Sequence, residues 1–269
     1  EVERVFDEVA SDQPEVREAL DEILSEFKGV QGLGSLLDVK GTLSDEFLQE
    51  QTKLTDTWTG PSSLTKFLDQ LHDQINQRKT DNSFLAQDLN SFLRLLVVLS
   101  QDYDVALMNP PYGSGKKMPD SVQKYVKEHY EYSPEYYINF FEVCDNLVKQ
   151  NGRIGMLIPR TFMMKRSMQQ FREDFVGDRG TFDFLAEFGL GILDNATVRT
   201  VGTVVRSGGQ AEDTGTFIRL HDIEKQQKEE TFARVISEGS SPEAIDRLYN
   251  VELSEFGLVP GTPLSYYTP

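Results

Sequence analysis

The chain has 269 residues, 38% of them hydrophobic, which is enough to bury the core of one large domain or two small ones. No stretch approaches the roughly 20 apolar residues that a membrane span needs, and no signal peptide opens the chain, so we expect a cytoplasmic protein without a membrane partner. Cys144 is the only cysteine, and His72, His129 and His221 lie far apart, so neither a disulfide nor a metal site is expected.

The balance of charge is strongly acidic. Lys and Arg total 27 against 44 Asp and Glu, which gives a formal net charge of −17. Because phosphate contacts need cations, one interpretation is that the protein binds no DNA. The other is a halophilic source with a salt-rich cytoplasm, where the Debye length falls to about 3 Å at 1 M salt and acidic surfaces keep proteins soluble. We favour the second interpretation because of the motif described below.

The first hundred residues are predicted to be mainly helical. Apolar residues recur at helical spacing over residues 2–27 and again over residues 44–100, where residues 84–99 predict one buried helix. A glycine-rich turn lies between these stretches. Its Gly32-Leu33-Gly34 lacks the third glycine of a dinucleotide-binding fingerprint, which indicates a structural turn rather than a cofactor loop.

Short strands then alternate with helices. Strands are predicted at residues 104–108, 153–158 and 217–220, and within 181–206 around a hairpin turn at Asp194-Asn195. Helices are predicted at residues 119–129, 134–150 and 164–175. The strand-helix-strand order predicts parallel strands joined by right-handed crossovers. Three regions result: a helical region or insertion at residues 1–100, an α/β core at 101–221, and an extension of helix and loop at 222–269.

The tetrapeptide Asn109-Pro110-Pro111-Tyr112 directly follows the first predicted strand of the core. Two consecutive prolines end a strand, so the four residues form a stiff loop. A bare tetrapeptide of this kind is most simply a surface turn, but the buried strand before it and the elements after it argue against that interpretation. The sequence resembles motif IV of the amino-methyltransferases, whose pattern is Asp/Asn-Pro-Pro-Tyr/Phe/Trp.

That resemblance implies a role for each residue of the motif. An exocyclic amine of adenine is a poor nucleophile, because its lone pair is delocalised into the ring. In the family, the Asn side-chain oxygen and the first Pro carbonyl accept its N–H groups and stabilise the positive charge of methyl transfer, which assigns Asn109 and Pro110. Pro111 then stiffens the loop, and Tyr112 stacks on the target base after it leaves the duplex.

Later segments extend the resemblance to adenine methyltransferases of the Eco57I type and the PglX type. The similar segments are residues 135–144, 149–159 and 188–200, together with Phe171-Arg172 and the earlier Gly34-Ser35-Leu36-Leu37. The resemblance implies a partial Rossmann-like, S-adenosylmethionine-dependent methyltransferase fold with an extra helical N-terminal region. It also implies N6-adenine methylation of double-stranded DNA and subunit partners in either a restriction–modification or a phage-defence system, and these two stay open.

The chain departs from these enzymes in its cofactor site. They bind S-adenosylmethionine with a loop of the form Asp-Pro-x-x-Gly-x-Gly, and the chain contains no such loop. Asp88 precedes the motif at a spacing similar to that of an adenine-contacting acid, but its helical surroundings indicate an ordinary surface residue. We expect a fragment that carries the catalytic loop and half of the cofactor pocket, and whether this fragment is active alone stays open.

The loop after the motif is predicted to contact DNA. Gly113-Ser114-Gly115-Lys116-Lys117 does not fit a phosphate-binding P-loop, because Pro110 stands at the leading glycine position and Lys117 at the Ser/Thr position. We instead expect the loop to cover the active site, with Gly113, Lys116 and Lys117 facing the substrate. Lys165 and Arg166 are further candidates for phosphate contacts, and a solvated surface charge is the equal alternative for each cation.

Two other functions stay open. Release-factor glutamine methyltransferases and some ribosomal RNA methyltransferases share the Asn-Pro-Pro-Tyr motif, because their substrates also present a planar nitrogen. The long helical region before the motif and the late hairpin favour a DNA enzyme over these. A non-catalytic binding module of a defence complex is the third reading, and the missing cofactor loop favours it.

Overall fold

The computed structural model describes residues 17–18, 21–25, 34–42, 83–113, 115–132, 135–193, 197–210, 213–239 and 246–267. The chain divides into two compact units. The first comprises residues 1–102 and 119–129, and the second comprises residues 103–118 and 130–269. Among the described residues, no helix combines the length and the apolar character needed to cross a membrane.

The first unit is helical in its described part. Helix α1, Ser83–Ser100, confirms the helix predicted at residues 84–99. Residues 17–18 and 21–25 are helical as predicted, whereas residues 43–82 lie outside the described residues. The Asp38 amide donates to the Tyr125 hydroxyl at 3.0 Å, which ties the segment after the glycine-rich turn to helix α2, Asp120–His129.

The second unit is built on a six-stranded mixed sheet. Its strands in chain order are β1 Tyr103–Met108, β2 Val148–Pro159, β3 Gly180–Gly189, β4 Thr200–Ser207, β5 Thr214–Arg219 and β6 Leu248–Glu252. Their order across the sheet is β1-β2-β4-β3-β5-β6. The pair β1–β2 is parallel, as the strand-helix-strand pattern predicts, and β3–β4 is antiparallel, as the hairpin predicts. The predicted turn residues Asp194-Asn195 lie outside the described part of the chain. The α/β fold class is confirmed.

The larger core lies on one face of this sheet. Alternate residues of β2, Ile154, Met156 and Ile158, point into it because successive strand side chains face opposite ways. The core is covered by helix α3, Tyr136–Leu147, by helix α4, Gln169–Glu173, and by the segment that follows β6. Helix α5, Lys228–Ser237, packs against β3 and β5 on the other face. On that other face, Leu107 of β1 is 79% exposed.

The predicted helix at residues 164–175 is broken in the structure. It consists of a 3₁₀ turn at Arg166–Met168, the short helix α4, and a π turn at Asp174–Asp178. The carbonyl of Lys165 accepts the Met168 amide at 3.0 Å and the Arg172 guanidinium at 2.8 Å. In an α-helix, the Lys165 carbonyl would accept the amide four residues later rather than the Met168 amide, which is three residues later. The tighter 3₁₀ turn therefore accompanies the contact of this carbonyl with the buried Arg172.

The segment after residue 222 contains a strand that the sequence pattern does not predict. Helix α5 agrees with the predicted mixture of helix and loop, but β6 pairs antiparallel with β5. The chain then continues into the core, where Leu264 is fully buried and Tyr266 is 5% exposed. The partner of β6 lies about thirty residues earlier in the chain, so local periodicity carries no sign of this pairing.

Candidate functional site

The Asn-Pro-Pro-Tyr loop begins where β1 ends, at the edge of the sheet to which the C-terminal end of β2 also points. Pro110 is buried, and Asn109 beside it is exposed. The Asn109 side chain makes no hydrogen bond to any residue within the described ranges. Its amide oxygen and nitrogen are therefore available to a ligand, while the neighbouring proline fixes the backbone.

Two contacts hold the loop in place from its far end. The Tyr112 hydroxyl donates to the Leu157 carbonyl of β2 at 2.8 Å. Burial raises the pKa of Tyr112 to about 12, so this hydroxyl keeps its proton at neutral pH. The Tyr136 amide donates to the Gly113 carbonyl at 3.1 Å. A Cβ at Gly113 would lie 3.2 Å from the Tyr136 ring, so glycine suits this close approach.

The start of helix α3 connects the loop to the turn that follows β2. Tyr137, next to the residue that binds Gly113, has its hydroxyl 3.3 Å from the Thr161 hydroxyl. Burial raises the pKa of Tyr137 to about 12, so it too stays protonated. The buried carboxylate of Glu135 accepts the Lys165 ammonium. The loop, the start of α3 and the turn after β2 thus form one connected group.

A cleft of about 760 Å³ lies beside this group. Its described lining residues are Arg160, Thr161, Met164, Lys165, Leu190, Thr197, Val198 and Arg199. The four motif residues do not line this cleft. Asn109 instead borders an open groove of about 430 Å³ on the sheet face that carries Leu107 and Gly155. Volume alone does not identify a reactive position, and the exposed Asn109 amide lies at the smaller of these two openings.

The other predicted site residues are distributed over this surface. Lys116 and Lys117 are exposed in the 3₁₀ turn Gly115–Lys117, and they form no ion pair with residues in the described ranges. Arg166 is also exposed, whereas Lys165 is held by Glu135. Arg172 of the Phe171-Arg172 pair is only 1% exposed, so it supports the fold and does not contact a substrate.

Sequence reasoning missed Arg160, which lines the cleft, and two side chains that are connected to it, Glu187 and Tyr266. Arg160 directly follows the strand-ending Pro159, a position where α/β proteins place ligand-binding residues. Glu187 of strand β3 is 1% exposed, and a buried acid indicates a fixed partner. The position of Arg160 after Pro159 is visible in the sequence, whereas the burial of Glu187 is not. Tyr266, which donates to Glu187 at 2.9 Å, is 79 residues away and gives no local signal.

The described residues do not build a site for S-adenosylmethionine, the methyl donor that the resemblance implies. Strand β1 is the edge of the sheet, and no described strand next to it carries a glycine-rich loop. We therefore assign no residue of this chain to that cofactor. In the described part of the chain, no group of three His, Cys, Asp or Glu side chains is arranged to hold a metal ion.

Two curated proteins are similar to this chain in sequence. Adenine-specific methyltransferase PglX of Lacticaseibacillus casei (strain Zhang) is 24% identical over 257 residues, which cover 92% of this chain and 19% of that protein. Adenine-specific methyltransferase BrxX of Escherichia coli O9:H4 (strain HS) is 22% identical over 210 residues, 77% of this chain and 17% of that protein. The chain thus spans about a fifth of the length of the curated relatives that it matches.

Solved structures of restriction-modification enzymes resemble this chain at TM-scores below 0.5. A nuclease-deletion mutant of the Type ISP restriction-modification enzyme LlaGI, in complex with a DNA substrate mimic, has a TM-score of 0.47 and 12% identity. The similarity covers 91% of this chain and 26% of that one. Residues 34–188 match the family described as Eco57I restriction-modification methylase. Because this match covers more than half of the sequence, the chain belongs to the Eco57I restriction-modification methylase family.

Proposed function

We propose that the protein is an adenine-N6-specific DNA methyltransferase of a restriction–modification or phage-defence system. The observation that carries this proposal is the Asn109 amide, exposed at the end of β1 on a loop anchored through Tyr112 and Gly113. The relatives named above are adenine-specific methyltransferases, which supports the choice of base. S-Adenosylmethionine supplies the methyl group in the full-length protein.

Asn109 and Pro110 orient the nucleophile. The Asn109 Oδ1 atom and the Pro110 carbonyl accept the two N–H groups of the adenine amine and draw its nitrogen toward a tetrahedral shape. The same two oxygens stabilise the positive charge that develops on that nitrogen. Because Pro110 and Pro111 fix the backbone, neither acceptor has to reorganise during the reaction.

Tyr112 provides the stacking surface for the extruded base. Its hydroxyl bond to Leu157 fixes one end of the ring. Extrusion of a base costs a few kcal/mol, which stacking and the amine contacts offset. Gly113, Lys116 and Lys117 follow directly, and we assign them to the DNA strand around the target base. Double-stranded DNA and other subunits of the same system are the proposed partners.

An acceptor assay distinguishes this function from its alternatives. The full-length protein is incubated with methyl-labelled S-adenosylmethionine and, in parallel, unmethylated DNA, ribosomal RNA or a release-factor protein. We expect label in N6-methyladenine of DNA alone. Label in glutamine or in RNA would reassign the substrate, and DNA binding without any methyl transfer would favour a non-catalytic module.

A salt-rich cytoplasm is the setting that we propose from the net charge of −17. Self-repulsion among unscreened carboxylates opposes folding, and molar salt shortens the Debye length to about 3 Å. We expect the far-ultraviolet circular dichroism of the chain to be retained in molar KCl and to weaken at low ionic strength. A fold that is equally stable or more stable at low salt contradicts this setting.

A further inference from the structure

The cleft beside the Asn109 loop is positively charged in a chain that is otherwise acidic. Three of its described lining residues are cations, Arg160, Lys165 and Arg199, and none is an acid. The whole chain has 27 basic residues against 44 acidic ones. Because acidic residues outnumber basic ones in the chain, a lining with three cations differs from its average charge.

Two of these cations are positioned by carboxylates underneath them. Arg160 Nη1 lies 2.7 Å from Oε1 of Glu187, within ion-pair distance although not aligned as a hydrogen bond. The Tyr266 hydroxyl donates to the other oxygen of Glu187 at 2.9 Å. The Lys165 ammonium donates a hydrogen bond to Glu135 and forms an ion pair with it. The two carboxylates balance two of the three cations, so one positive charge is left for a ligand.

Arg199 supplies that remaining charge. Its side chain is exposed, and no carboxylate in the described part of the chain is paired with it. Its backbone carbonyl accepts the Arg160 amide at 2.9 Å, which places the two arginines next to each other. A guanidinium carries five N–H donors in a planar fork that suits phosphate oxygens, so both arginines keep donors for a phosphate.

The other described lining residues are three apolar side chains, Met164, Leu190 and Val198, and two threonines, Thr161 and Thr197. Met164 is 40% exposed and Leu190 is 49% exposed. Apolar side chains next to cations suit a nucleotide unit, whose sugar and base pack on the apolar side chains while the phosphate meets the cations. The volume of about 760 Å³ lies within the usual range for a site of this kind.

We propose that this cleft binds a backbone phosphate of the DNA substrate. Arg160, Lys165 and Arg199 are the phosphate contacts, and Glu187 and Tyr266 are positioning residues for Arg160. This proposal rests on the proposed function. Since Asn109 and Arg160 each follow a strand that ends at the same edge of the sheet, one DNA strand reaches both the loop and the cleft.

The test is the salt dependence of DNA binding, which does not require knowledge of the recognition sequence. Fluorescence anisotropy of a labelled duplex is measured over a KCl series for the full-length protein. Because Arg199 is exposed, Arg199→Gln is expected to fold normally and to reduce the slope of log K against log salt by about one. Lys127→Gln, an exposed lysine on helix α2, is the matched control and keeps the wild-type slope.

Tyr266→Phe tests positioning without a change of charge. It removes the hydroxyl bond to Glu187, so we expect an unchanged salt slope and a KM for DNA raised about two- to tenfold, the equivalent of one hydrogen bond. We expect kcat to be unchanged. A purely structural role would lower the melting temperature and leave KM as it is.

The outcomes separate this proposal from the proposed function. If Asn109→Ala is inactive but Arg199→Gln keeps the wild-type slope, only the phosphate site is overturned. The same follows if Lys127→Gln reduces the slope as much as Arg199→Gln does. If the wild-type protein binds no DNA, or binds an RNA duplex more tightly, both proposals are overturned.

Discussion

Asn109→Ala in the full-length protein is expected to lower kcat for adenine methylation by about 100- to 1,000-fold or more, with almost no change in stability. Removal of one preorganised polar group that stabilises transition-state charge has an effect of this size in other enzymes. The Asn109 side chain is exposed and makes no hydrogen bond to the described residues, so its truncation leaves no buried group unsatisfied. We expect the free energy of unfolding to change by less than about 0.5 kcal/mol.

Two measurements on the same preparation check this prediction. Transfer of a labelled methyl group gives kcat, and thermal unfolding gives the change in stability. Asn250→Ala is the matched control, because Asn250 is exposed on β6, where its side-chain oxygen accepts a hydrogen bond from the Thr216 hydroxyl at 2.9 Å. This control should retain activity. Retained activity in Asn109→Ala would exclude the assigned acceptor role. A large drop in its melting temperature would show that Asn109 supports the loop rather than the substrate.

The elements before and after Asn109 in the sequence are predictable because their signals are local. Strand β1 was expected at residues 104–108 and spans Tyr103–Met108. Helix α2 was expected at residues 119–129 and spans Asp120–His129. In each case an apolar period and a boundary signal, proline or glycine, lie within a few residues of the element. The assignment of Asn109 to Tyr112 as catalytic residues stays a prediction.

The parts that sequence reasoning missed depend on distant partners. Glu187 joins Arg160, 27 residues earlier in the numbering, to Tyr266, 79 residues later. Periodicity in one segment contains no information on such a pairing. The break in the helix predicted at residues 164–175 has the same origin. It accompanies the hydrogen bonds from the buried Arg172 guanidinium to the carbonyls of Gly261 and Thr262.

Replacement of Arg172 has the largest effect on stability that we expect. Arg172 donates to four backbone carbonyls: those of Phe162 at 2.7 Å, Lys165 at 2.8 Å, Gly261 at 2.5 Å and Thr262 at 2.8 Å. Desolvation lowers the pKa of Arg172 from its ordinary value, yet an arginine stays charged at neutral pH. One cation thus joins the turn after β2 to the segment after β6.

Arg172→Met removes all of these donors while filling a similar volume. Phe162 and Thr262 are buried residues, so water does not readily replace the lost partner at their carbonyls. Each stranded acceptor costs about 1–3 kcal/mol, which predicts a loss of roughly 2–6 kcal/mol in the free energy of unfolding. A typical domain has only about 5–15 kcal/mol in total, so urea unfolding should show a far lower midpoint or no folded baseline.

Arg166→Met is the matched control, since Arg166 is exposed six residues away and should tolerate the same change within about 0.5 kcal/mol. Arg172→Lys separates charge from geometry: an ammonium has three donors and no planar fork, so it can satisfy only part of the four-carbonyl set. We expect its midpoint to lie between those of the wild type and Arg172→Met. Equal midpoints for Arg172→Met and Arg166→Met would show that water satisfies the four carbonyls. The turn carrying Arg160 and Lys165 would then owe its position to the apolar core beneath it, and the cleft should keep its shape without the buried arginine.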